Sequence, residues 1–290
     1  MAKGNFQNPL PELKQNNEIS QLRDSFSNMQ HSLTLYIDEL KTTTAQKAII
    51  ESELSIAREI QMSMVPTEFP ERDGIDIYGS MTPAKAVGGD LYDFFFEGDK
   101  LYFCIGDVSG KGIPAALLMT VTKNLFRSYA SYEHTPDGIV SRINIDLNRN
   151  NEAFMFVTFF VGILDLSSGL LRYCNAGHEP PIVIGKTAEA LPVNKILPVG
   201  ATADTPYITQ ETVIEPQTTL LLYTDGLNEA IDADLEMFSE DRIFDELNHA
   251  IQDGQLSPKA LVERLTQAVH DFVGDTEQSD DLTMMAIHYK

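Results

Sequence analysis

From Ile19 to Met64 one residue in every three or four is marked out. The run is Ile19, Leu22, Phe26, Met29, Leu33, Tyr36 and Leu40, then Thr43 and Lys47, then Ile50, Leu54, Ala57, Gln61 and Met64. Alternating steps of three and four place these positions on one seam of a helix, the geometry of a coiled coil. A shorter amphipathic helix would more often pack on its own domain's core. This pattern outruns the roughly 8–20 residues of an ordinary globular helix, so the sequence predicts a parallel dimer joined through the seam. Its polar middle at Thr43 and Lys47 keeps the register adjustable. Val65-Pro66 ends the helix, because proline lacks an amide donor and restricts the residue before it. The expected organisation is therefore an N-terminal segment over 1–40, a signalling helix over 41–65 and one globular domain over 66–290.

Beyond Pro66 the character changes. Short β-rich runs at Ile75–Met81, Leu91–Phe96, Leu101–Val108, Phe156–Leu166, Leu170–Cys174 and Thr219–Tyr223 are separated by turn formers. Helical patterns cover Pro114–Tyr132, Pro136–Asn148, Glu240–Ala250 and Pro258–Phe272. Strand clusters divided by paired helices predict an α+β fold in layers, not an alternating parallel sheet. Cys104 and Cys174 both sit in apolar runs without CxxC spacing and read as reduced core residues. The formal charge of −22 argues against nucleic acid as a partner, since phosphate-backbone binding needs clustered Lys and Arg.

Four aspartates share one setting, the end of an apolar strand beside a turn former: Gly88-Gly89-Asp90, Ile105-Gly106-Asp107-Val108, Tyr223-Thr224-Asp225-Gly226 and Ser279-Asp280-Asp281-Leu282. A single Asp-Gly is usually only a turn. Four such sites could converge at one end of a sheet, and carboxylate oxygens are hard ligands that favour Mg²⁺ or Mn²⁺ over zinc.

The wording VGGDLYD, IGDVSGKGIPAALLM, NAGHEPP, LLLYTDGLNEA and SDDLT resembles the SpoIIE-type branch of the metal-dependent PPM serine/threonine phosphatases, from about Glu51 to Lys290. The resemblance implies an α-β-β-α sandwich with two Mn²⁺ or Mg²⁺ ions at one end. By position Asp107 bridges the ions, and Asp90, the Val108 carbonyl, Asp225 and Asp280 complete the shell. Asp280 aligns with the family's ligand, and Asp281 is the alternative. Two ions about 4 Å apart can activate a water and neutralise phosphoryl oxygens, so no covalent protein nucleophile is required.

Several nearby residues have two readings. Gly110-Lys111-Gly112 fails the P-loop pattern, because Gly follows the lysine. Gly110 instead lets the backbone wrap past the site, and Pro114 starts a helix whose positive end faces phosphate. His178 is a candidate substrate contact or proton donor, with packing as the blander alternative. Asp93 and Glu229 are candidates to orient metal-bound water, against a capping role. Lys85 is the nearest upstream cation to the first motif, and a lone lysine is usually solvated.

Upstream, Gly4-Asn5-Phe6, Pro9-Leu10 and Asn17-Glu18-Ile19 with Leu22, Phe26 and Met29 resemble the connector and second helix of a HAMP domain. That resemblance implies the cytoplasmic portion of an inner-membrane receptor with its sensor upstream. No apolar run approaches the roughly 20 residues of a membrane span, so the chain as given reads as cytoplasmic. The phosphatase resemblance implies a phosphorylated STAS-domain anti-sigma-factor antagonist as substrate. The alternatives are a catalytically silent scaffold and a hydrolase of small phosphoesters.

Overall fold

The computed structural model describes residues 18–149, 151–194 and 196–290. Most of the HAMP-like run, Gly4 to Asn17, lies outside the described residues. One uninterrupted helix, α1, covers Glu18–Met64. The chain divides into two compact units, the first ending at Ala57 and the second spanning Arg58–Lys290.

In the first unit the seam residues Ile19, Leu22, Phe26, Met29, Leu33, Tyr36 and Leu40 are all exposed, Leu22 by 67% and Leu40 by 65%. They do not cover a core of their own. The second unit starts before the Val65-Pro66 break, and the end of the seam differs from expectation there. Gln61 is buried, and Met64 lies within 3.8 Å of the Thr120 hydroxyl. These two positions face their own domain.

The second unit contains two antiparallel sheets. The strands are β1 (Ile75–Thr82), β2 (Leu91–Glu97), β3 (Lys100–Val108), β4 (Val157–Asp165), β5 (Leu170–Ala176), β6 (Ile182–Ile184), β7 (Ala188–Ala190), β8 (Gln210–Val213), β9 (Thr218–Tyr223) and β10 (Leu282–Tyr289). One sheet has the order β1-β10-β9-β6-β7 and the other β2-β3-β4-β5-β8. Helices α2 (Ile113–Ala130) and α3 (Pro136–Asn148) cover the second sheet, while α4 (Ser239–Asp253) and α5 (Pro258–Val273) cover the first. The result is the expected α-β-β-α sandwich.

Local sequence explains these elements. The strands β3 and β9 are almost wholly buried because helix and opposing sheet cover both faces, whereas β1 at a sheet edge alternates in and out. Phe103 lies across from Gly162, the one residue type that leaves room for its ring there. Thr135 and Ser257 cap α3 and α5, each followed by proline in the first turn. Gly254 closes α4 in the left-handed conformation. A core drawn from both sheets joins Phe103, Phe159 and Phe160 to Leu222, Met285 and Ile287. Cys104 and Cys174 are buried free thiols within it.

Candidate metal centre

Register brings the aspartates together. In one sheet Leu91 pairs with Gly106, so Asp90 and Asp107 stand beyond that pair on adjacent strands. In the other, Tyr223 pairs with Met284, and the Thr224 amide donates to the Thr283 carbonyl at 3.1 Å, so Asp225 and the Asp280-Asp281 pair follow. The two sheet ends meet where the Thr224 hydroxyl donates to Asp90 Oδ2 at 2.8 Å.

The site resists its own negative charge. Burial pushes the Asp90 carboxyl well above its ordinary range, and the charges of Asp107 and Asp281 add to this against hydroxyls at Thr283 and Thr224. Burial, then Asp225, raises Asp107 to about 7. Burial, then Asp280 and Glu229, raises Asp225 to about 6, with Lys111 opposing. Among the described residues no three His, Cys, Asp or Glu side chains already form a closed ion cage. Oxygen donors spread over two sheet ends suit a hard cation that keeps several waters as ligands. A divalent cation would also relieve the repulsion that raises all three carboxyls, so the residues fit such an ion. The Val108 carbonyl belongs to the same place, since it would lie 3.1 Å from a Cβ built on Gly89.

The adjacent aspartates divide their work. Asp281 Oδ1 accepts from the Ala84 amide at 2.8 Å and its Oδ2 from the Gly89 amide at 2.7 Å. Its carboxylate therefore staples the loop that precedes Asp90. Asp280 pairs with Lys111 at 2.7 Å at the rim and acts on Asp225, which leaves it the better placed of the two to reach an ion. Lys111 also donates to the Ser279 carbonyl. Gly226 must be glycine, because a Cβ there would overlap the Asp281 backbone carbonyl.

Asp93 departs from expectation. Its fully buried carboxylate faces α2, where Arg127 donates to both oxygens at 2.6 Å and Lys123 lies 3.0 Å away. Strand alternation turns it from Asp90 toward the covering helix, so it anchors α2 and does not orient water at the centre. Glu229 is exposed, donates its amide to the Asp225 carbonyl at 2.8 Å and adds negative charge beside that carboxyl. Gly110 is exposed with φ at +87°, and Lys85 is exposed.

His178 is buried, not presented to solvent. Asn175 closes the turn around it, accepting from its amide and donating to its carbonyl, both at 2.8 Å. Its Nδ1 lies 2.9 Å from the Thr158 hydroxyl, and Thr158 is the ladder partner of Asp107. Burial pulls its proton affinity down to about 4 against the nearby Tyr223 carbonyl. A neutral ring wedged between the neighbours of Asp107 and Asp225 supports both strand ends. It is not placed to meet substrate. Sequence reading alone missed Thr224 and the Lys111–Asp280 pair, because a threonine beside an aspartate and a lysine between glycines carry no distinctive pattern.

A family model described as Stage II sporulation protein E (SpoIIE) matches residues 97–290. The chain belongs to the SpoIIE family. Its relatives include Protein IcfG of Synechocystis, 28% identical over 93% of this chain and 46% of that protein, so the chain spans about half of IcfG. Phosphoserine phosphatase RsbU of Bacillus subtilis is 27% identical over 83% of this chain and 71% of RsbU. Among solved structures, the SiaA-PP2C domain of Pseudomonas aeruginosa superposes with a TM-score of 0.72 at 21% identity, covering 85% of this chain and 99% of that one. The SpoIIE-family fold is thus that of the PP2C-type phosphatases.

Proposed function

We propose that this SpoIIE-family chain hydrolyses phosphoserine or phosphothreonine on a protein, with divalent cations, Mn²⁺ or Mg²⁺, held by Asp90, Asp107, the Val108 carbonyl, Asp225 and Asp280. The observation that carries this reading is the gathering of carboxylates from both sheets at one sandwich end, where burial and mutual repulsion raise Asp90, Asp107 and Asp225 together. When bound, two such ions supply the Lewis acidity that makes water a nucleophile at neutral pH and offsets charge on phosphoryl oxygens.

The chain's own groups do the rest. Asp107 and Asp225 bring oxygens from the two sheets to one place, and Thr224 orients Asp90. Lys111 at the rim puts a cation where a phosphate would enter. Helix α2 begins at Ile113 after Gly112, with no side chain capping it, so its positive dipole end remains available to an anion. Water attacks phosphorus, the bond from phosphorus to the serine oxygen breaks, and that oxygen takes up the proton that the attacking water gives up. No protein nucleophile intervenes. Burial pushes Cys104 well above its usual range and Cys174 up to about 12, so neither offers a thiolate.

The substrate we propose is a phosphorylated STAS-domain antagonist of an anti-sigma factor. The family resemblance and the similarity to RsbU support it. The exposed seam from Ile19 to Leu40 supports a homodimer through α1. The HAMP-like wording supports a place on the cytoplasmic side of an inner-membrane receptor. Among the described residues no helix is long and apolar enough to cross a membrane.

The test is phosphate release from a phosphoserine STAS protein, p-nitrophenyl phosphate and free nucleotides, each with Mn²⁺ and with EDTA. Mn²⁺-dependent release that favours the phosphoprotein supports the proposal. Preference for nucleotides would make the chain a small-phosphoester hydrolase, and no release from any of them would favour a scaffold.

A further inference from the structure

We propose that Gln61 is a positioning residue for the metal centre, its carboxamide gripping the Gly88 peptide and so fixing the loop that delivers Asp90. This rests on the metal-dependent reading above. Gln61 lies near the end of α1, within the unit Arg58–Lys290, and is only 4% exposed. Its Nε2 donates to the Gly88 carbonyl at 2.7 Å, and its Oε1 accepts from the Gly88 amide at 3.0 Å. A primary amide offers a donor and an acceptor side by side, so it can satisfy both backbone groups of one residue at once.

The grip acts on the segment that matters. Asp90 follows Gly88 by two residues, and Gly88 and Gly89 are buried. On the other side of this loop, the Asp281 carboxylate accepts from the Ala84 and Gly89 amides and occupies the space a Gly88 side chain would need. Gln61 and Asp281 therefore hold the loop between them. Successive helix residues are about 100° apart around the axis. A modest rotation or a withdrawal of about 1–2 Å at the end of α1 would carry the carboxamide out of hydrogen-bond range.

The experiment uses the full chain, with Gln61→Met to keep the length and apolar stem, and Gln61→Asn to keep the amide but pull it back by one methylene. Ile143→Val, a core change in α3, controls for general loss of stability. Mn²⁺ affinity is measured by calorimetry, and amide hydrogen exchange over residues 84–90 is measured in EDTA. Both Gln61 variants should bind Mn²⁺ about tenfold or more weakly, as expected for losing two buried hydrogen bonds. Both should also exchange faster over 84–90, while Ile143→Val matches wild type in each readout. If either Gln61 variant folds and keeps wild-type affinity and exchange, the proposal is wrong. If the wild-type chain binds no Mn²⁺, the metal reading fails instead, and exchange over 84–90 still decides whether Gln61 holds the loop.

Discussion

Thr224, the residue after β9 in one sheet, donates its hydroxyl to Asp90 Oδ2 at the head of β2 in the other, at 2.8 Å. This bond crosses between the sheets at the point where the carboxylates gather. It ties the geometry of the centre to the packing of the sandwich.

Replacing Thr224 with valine keeps the shape and removes that bond. Asp90 would lose a group that favours its charged form, and a buried acceptor would go unsatisfied. The variant should lose about 1–3 kcal/mol of stability and bind Mn²⁺ more weakly. Thermal denaturation with and without Mn²⁺ measures both, and unchanged Mn²⁺ affinity would show that Thr224 merely packs.

Without ions, Asp107 should oppose folding at neutral pH. Its folded proton affinity, about 7, lies above the ordinary 3.8. Its contribution is therefore fully present below about 3.8 and is lost as pH rises through about 7. In EDTA at pH 7.5, Asp107→Asn should be more stable than wild type by roughly 1–3 kcal/mol. Denaturant titration at pH 7.5 and pH 4 checks the sign, and equal stability gains at both pH values would contradict the account.

His178 works in the opposite sense. Its proton affinity falls from 6.5 unfolded to about 4 folded, so its contribution is present above about 6.5 and is lost as pH falls toward 4. Between pH 7 and pH 5 that loss amounts to about 2 kcal/mol. Comparison with His178→Gln isolates it from the carboxylates, because the stability gap between the two proteins should narrow on acidification. A gap that stays constant with pH would remove His178 as its source.

The buried Asp93 should matter to stability and not to metal binding. Arg127→Met leaves its carboxylate with Lys123 as its remaining charged partner, beside the Phe94 amide, and should cost about 2–4 kcal/mol. Mn²⁺ affinity of the folded variant should match wild type. A large loss of affinity would return Asp93 to the metal centre.

The sequence disclosed some features more readily than others. The four aspartates were visible because each ends an apolar strand beside a turn former, and the strands β1 to β5 and β9 and all four helices of the sandwich follow from their residue patterns. The strand β6, Ile182–Ile184, is apolar but only three residues long, β7 and β8 are short and carry polar residues, and β10, with Met284, Met285 and Ala286 at its centre, lacks a β-branched run. Asp93 misled through its closeness to Asp90, since a strand turns alternate side chains to opposite faces. Gln61 fitted the heptad, but pattern alone does not say whether a helix face meets another helix or its own domain. The roles of Thr224, Asp281 and Gln61 rest on contacts between distant parts of the chain, which spacing does not encode.

The most direct test of the central claim measures Mn²⁺ binding and phosphate release from a phosphoserine protein on the same samples of wild type, Asp107→Asn and Asp225→Asn. The account predicts two ions per wild-type chain, Mn²⁺-dependent release, and loss of that release in both variants with weakened ion binding. Release that persists in EDTA, or in Asp107→Asn at the wild-type rate, would contradict it.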